Sequence, residues 1–167
     1  MKKPSLIVAA VLAVTTSAVL AATSPATATF QVLITVAKAC SVTAGSGSNI
    51  NFNTVDSSAT NLSASSNISV TCSKSTPYNI GLLPSNNSST GAGAMGNTGT
   101  DTIPYQLRSV SATGAIWGST ATSTSVGNGV AGTGTGSAQS IPVWATVASV
   151  NVTPGSYSDT VTVQVNY

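Results

Sequence analysis

The sequence predicts an all-β fold, an antiparallel sandwich, and three observations carry that expectation. Short runs alternate apolar and polar residues at a period of two. Clusters of Ser, Asn, Gly and Pro punctuate them at short intervals, as in sandwiches and not as in strand–helix–strand repeats. Beyond the N-terminal leader, almost nothing has helical spacing.

The first candidate strand is TFQVLITVAKAC, which begins at Thr29. Phe30, Val32, Ile34 and Val36 fall on one face, while Gln31 and Thr35 point the other way. Shorter runs follow at Ile50–Phe52 (INF), Asn67–Cys72 (NISVTC) and Tyr78–Leu83 (YNIGLL). A Gly-rich stretch from about Pro84 to Thr100 reads as a loop, and IPYQLRS, AIWG and IPVWATV read as further strands. Between them STATSTSVGNGVAGTGTGSAQS reads as a solvated loop or weak hairpin, with Asn128-Gly129 as its turn signal. In the closing DTVTVQVNY, Val161, Val163, Val165 and Tyr167 line one face and Thr160, Thr162, Gln164 and Asn166 the other, so the last strand is expected to reach the final residue.

Lys2 and Lys3 precede the apolar run LIVAAVLAVTTSAVLAA, which reads as a secretory signal peptide over residues 1–22. Cleavage is expected near Ala21 or Ala22, with a second possibility after Ala28 in ATA. Without the leader, Lys38, Lys74 and Arg108 face Asp56, Asp101 and Asp159, and the mature chain is close to neutral. No basic footprint remains for a phosphate backbone, so nucleic acid is not an expected partner. Roughly 145 mature residues suffice for one domain with a real core. A surface of hydroxyls and amides with so little charge suits a protein packed against copies of itself.

Export places the only two cysteines, Cys40 and Cys72, in an oxidising compartment, where a structural disulfide is the expected pairing. The rival reading, a reactive or metal-binding pair, lacks CxxC spacing and any histidine. Enzyme chemistry finds equally little support. The many hydroxyls have no histidine as a base, the chain has no Glu, and Asp56 and Asp101 stand in Ser/Thr/Gly-rich loops. Asp159, at a strand start, is expected to bond turn amides. No phosphate-binding glycine motif or metal ligand set is present, so no cofactor, metal or small-molecule substrate is expected. Lys38, Lys74 and Arg108 read as solvated charges, and Trp117 and Trp144 as core or inter-sheet packing.

A terminal strand can border an open position in a sheet, and here a strand-competent segment at the other end is available to fill such a position in another molecule. The residues that carry this pattern resemble the spore coat protein U domain family, which includes major subunits of archaic chaperone-usher pili. The matching pieces are the alternating N-terminal strand leading to Ala39-Cys40-Ser41-Val42, NISVTCSKSTPYNIGL around Cys72, Tyr105 and Leu107 in IPYQLRS, Trp117-Gly118, IPVWATV, and PGSYSDTVTVQVNY. Gly155, Tyr157, Asp159 and the alternating valines are the most specific of them. The chain departs from the pattern at Met95, flanked by Ala94 and Gly96 where an arginine is usual, and at Ala145, where glycine is common.

The resemblance implies an incomplete immunoglobulin-like antiparallel β-sandwich, completed by a donor strand from a neighbouring subunit. It divides the chain into a signal peptide (1–22), a donor segment (23–38) carrying Phe30, Val32, Ile34 and Val36, and a sandwich domain (39–167). Val161, Val163, Val165 and Tyr167 would then form the groove-edge strand, with Tyr167 and its carboxylate gripped by a chaperone. The implied partners are a periplasmic chaperone, an outer-membrane usher and identical or related pilin subunits in a homopolymer, and the implied destination is a cell-surface pilus (fimbrium). The alternative is a self-contained secreted binding module, a lectin-like adhesin or coat protein.

Overall fold

The computed structural model describes residues 24–167, so the expected signal peptide lies outside the described residues. The chain divides into two units, Met1–Thr35 and Val36–Tyr167. In the first, the described residues form neither helix nor strand, and Phe30, Val32 and Ile34 are exposed.

The second unit contains β1 (Cys40–Thr43), β2 (Thr60–Cys72), β3 (Pro77–Pro84), β4 (Ala92–Gly96), β5 (Thr102–Ser109), β6 (Val130–Thr133), β7 (Ala138–Ser149) and β8 (Val161–Asn166), with a single 3-10 turn at Ser46–Ser48. One sheet has the order β1-β2-β7-β5-β4 and the other β6-β3-β8, with antiparallel pairing throughout. The long β2–β7 ladder runs from Thr60 opposite Ser149 to Thr71 opposite Ala138. Its inward positions include Ile68, Val70, Val143, Ala145 and Val147, all buried. Ile103, Tyr105 and Leu107 of β5 and Tyr78, Ile80 and Leu82 of β3 complete the core. Each strand contributes alternate residues, as the pleat requires.

Trp117 joins the layers. It is wholly buried, and its indole N–H donates to the Ile80 carbonyl of β3 at 2.8 Å while its backbone N–H donates to Leu107 of β5 at 3.0 Å. The next carbonyl, of Gly118, accepts from Leu82 N–H at 2.8 Å. AIWG is therefore not the expected strand. Its backbone groups are shared between two sheets, leaving only an isolated bridge from Ile116 to Arg108.

Two strands arise where loops were expected. β4 and β6 have little side-chain bulk, but each sets a glycine opposite a tyrosine, Gly93 across from Tyr105 and Gly132 across from Tyr78. The tyrosine ring lies where a Cβ on the glycine would be, so the neighbouring strand supplies the missing cover. The Asn128-Gly129 hairpin is also corrected. The turn closes from Gly129 N–H to the Val126 carbonyl, and the left-handed residue is Gly127. Asn128 instead accepts from Thr120 N–H and Oγ1 and donates to the Ser89 carbonyl at 2.8 Å, tying the two low-complexity stretches together.

Candidate functional site

Among the described residues, the final strand β8 pairs with β3 on one side only and forms the edge of its sheet. Val161, Val163 and Val165 face inward but stay half-buried, whereas Ile80 and Leu82 on the adjacent strand are 0% and 1% exposed. What these valines lack is a neighbour on the open side. The edge strand of the other sheet, β1, comes near β8, with Cα atoms within 8 Å but no ladder between them.

Between the sheets on this side lies a cavity of about 540 Å³. Its floor is apolar: Ile68, Leu82, Leu107, Val143 and Ala145. Val161 and Val163 of β8 border it, as do Ile50 and Phe52 from the segment that links β1 to β2. The sandwich interior is thus accessible beside an unpaired strand edge, an arrangement that invites strand addition.

Hydrogen bonds fix the end of this groove where β8 begins. The Tyr105 hydroxyl donates to Asp159 Oδ2 at 2.6 Å, and Asp159 Oδ1 accepts from Thr160 N–H. Burial, then the bond to Asp159 and its charge, push the Tyr105 phenol well above its ordinary value. Tyr157 donates back to the Thr153 carbonyl at 2.7 Å, the tyrosine-corner geometry known from immunoglobulin-like strands. Ser158 exchanges backbone hydrogen bonds with Gly96 at the end of β4. The disulfide joins Cys40 to Cys72, directly opposite each other in the β1–β2 ladder, and so holds β1 against β2.

The expected last strand stops one residue early, at Asn166, where the side chain donates to the Ala121 carbonyl. Tyr167 beyond it is exposed, and the Nζ of Lys38, itself exposed as expected, lies 5.8 Å from its ring centroid. Arg108 is not simply solvated, since it is half-buried and donates to the Gly114 carbonyl. Trp144 alternates with buried Val143 and Ala145 and sits half-buried on the outer face, so only Trp117 packs between the sheets. The segment INF alternates in burial but has no ladder partner among the described residues. Of the expected donor residues, Phe30, Val32, Ile34 and Val36 are 82–88% exposed and belong to no strand.

The other two carboxylates, Asp56 and Asp101, hold nearby backbone N–H groups. Asp56 is held below its ordinary value by the backbone and hydroxyl of Ser58, and Asp101 by Thr153, whose N–H it accepts. Among the described residues, no three potential metal-ligating side chains cluster.

Residues 26–164 match the Spore Coat Protein U domain. The chain belongs to that family. This Spore Coat Protein U domain has no match among curated proteins. Among solved structures it is similar to a chain in the crystal structure of the CsuC–CsuE chaperone–tip adhesion subunit pre-assembly complex, from archaic chaperone-usher Csu pili of Acinetobacter baumannii. The identity is 25% and the TM-score 0.55, over 80% of this domain's chain and 40% of the other. The incomplete immunoglobulin-like sandwich that the family resemblance implied is thus the fold of the protein.

Proposed function

We propose that this Spore Coat Protein U domain is a structural pilus subunit, not an enzyme. It is exported to the periplasm, received by a chaperone, and polymerised at an outer-membrane usher by donor-strand complementation. The observation that carries the reading is the apolar groove beside the free edge of β8, together with an exposed alternating segment at the other end of the same chain. The occupant of the groove is residues 29–36 of a second copy. Burying Phe30, Val32, Ile34 and Val36 would contribute ~6–12 kcal/mol before ordering costs, at ~1.5–3 kcal/mol per large apolar side chain. Main-chain bonds to β8 add to this and cover an edge that otherwise templates aggregation. The product is a surface fibre (fimbrium) that serves attachment or biofilm formation.

The test is to complete the groove from within. A copy of TFQVLITV fused after Tyr167 through a short flexible linker presents the donor at high effective concentration. The expected product is a monomer that needs no chaperone, resists assembly and unfolds at a much higher temperature than the chaperone-released subunit. Equal midpoints with and without the appended strand would show a sandwich already complete, and would leave the self-contained binding module as the better reading.

A further inference from the structure

The groove is partly occupied already. Between β1 and β2, residues 48–53 alternate strictly in exposure, with Ser48, Ile50 and Phe52 half-buried and Asn49, Asn51 and Asn53 exposed. That is strand periodicity, and both apolar side chains border the cavity and pack against the core. Yet residues 50–55 make no backbone–backbone hydrogen bond among the described residues. Asn53 takes the left-handed conformation, φ 58°, and its N–H is satisfied locally by Asn51 Oδ1 at 2.7 Å. The 3-10 turn ahead of it anchors Ser48 and Asn49 by local backbone bonds, and beyond them the apolar contacts of Ile50 and Phe52 hold the segment to the core.

We infer that Ile50 and Phe52 are a built-in placeholder for the donor strand, covering the groove while the subunit is empty and leaving it when the strand enters. The inference rests on the donor-strand reading above. Ile50 and Phe52 have the same i, i+2 spacing as the donor residues, and they border the cavity alongside Val161 and Val163, the first half of the strand the donor must pair with. An incoming strand would supply ladder bonds to β8 that the placeholder does not make, so the exchange replaces apolar cover with apolar cover and gains the main-chain bonds. The absence of a ladder is also what permits exit, because no row of hydrogen bonds has to break first.

Phe30 and Phe52 are the only two phenylalanines, so a mature chain labelled with fluorophenylalanine gives two fluorine resonances, assigned by the variant Phe52→Leu. The unlabelled peptide TFQVLITV is added to monomer, and its binding is followed separately by the anisotropy of a dye-tagged copy. With peptide bound, the solvent-isotope shift of the Phe52 resonance should rise to that of exposed Phe30. A Phe52 resonance that keeps or loses solvent exposure with peptide bound would overturn the placeholder and leave the donor-strand reading standing. A peptide that does not bind would overturn both. The variant Ile50→Ser/Phe52→Ser provides a second measurement: faster peptide uptake than wild type is expected, and slower uptake would show that the pair builds the site.

Discussion

Tyr105 and Asp159 join the two sheets at the mouth of the groove. The phenol comes from the middle of β5 and the carboxylate from the residue pair ahead of β8, and the 2.6 Å bond between them fixes where the edge strand starts. Tyr105→Phe should cost ~1–3 kcal/mol, because a part-buried carboxylate loses its donor while the ring still covers Gly93. A double-mutant cycle with Asp159→Asn, followed by denaturant unfolding, should give a coupling of ~0.5–3 kcal/mol. Additive losses would mean that the two groups act independently.

The same phenol predicts an alkaline limit. Burial raises Tyr78, and burial with the Asp159 bond raises Tyr105, above the value of ~10 expected in the unfolded chain. The native state therefore holds these protons more tightly. Stability should be flat with respect to these groups below pH ~10 and fall as pH rises through that value, where the unfolded chain ionises first. Tyr105→Phe should reduce the slope without abolishing it, since Tyr78 remains. An unchanged slope in melting temperature against pH would show that Tyr105 ionises freely in the native state.

Cys40 and Cys72 stand opposite each other in register, so their bond closes a 32-residue separation while pinning the short strand β1. In the loop-entropy description that is worth ~3–4 kcal/mol. Cys72→Ser should lower the unfolding free energy by about that amount and reduce periplasmic yield. Thiol titration of denatured wild-type protein should find no free thiol, and two would refute the bond.

How much of this was legible in the sequence depends on where each residue's partner lies. β3, β5, β8, the second half of β2 (residues 67–72) and the centre of β7 (residues 141–147) could be read because their own side chains alternate, and a buried pleat leaves that mark in any strand with enough bulk. β4 and β6 left none, because the bulk opposite Gly93 and Gly132 belongs to Tyr105 and Tyr78, many residues away. Ile50–Phe52 erred in the other direction. It carries the alternation of a strand, but a strand also needs a ladder, and local pattern says nothing of the partner. The valines of β8 were readable as one face, whereas the cavity behind them came only from topology. The Tyr105–Asp159 bond spans 54 residues and had no local signal at all.

The donor assignment makes a graded prediction at Ile34, which lies mid-segment and is 87% exposed in the single chain. Truncation by one methylene, Ile34→Val, should weaken assembly by ~0.5–1.5 kcal/mol, the usual cost of that change at a buried site. Ile34→Asp should abolish assembly, because an ionised carboxylate entering the apolar floor formed by Leu82, Leu107 and Val143 would find no partner there. Neither change should impair capture by the chaperone, since the groove and β8 of the mutant subunit are untouched. The mutant should therefore accumulate as chaperone-bound subunit and fail only as a donor, and mixed with wild type it should still accept a wild-type strand, which confines it to the fibre end whose own donor segment stays unused. Electron microscopy of surface fibres, with quantification of the chaperone complex, separates these outcomes. If segment 29–36 instead decorates its own subunit, Ile34→Asp on an exposed face would change stability by no more than ~0.5 kcal/mol and fibres would look normal.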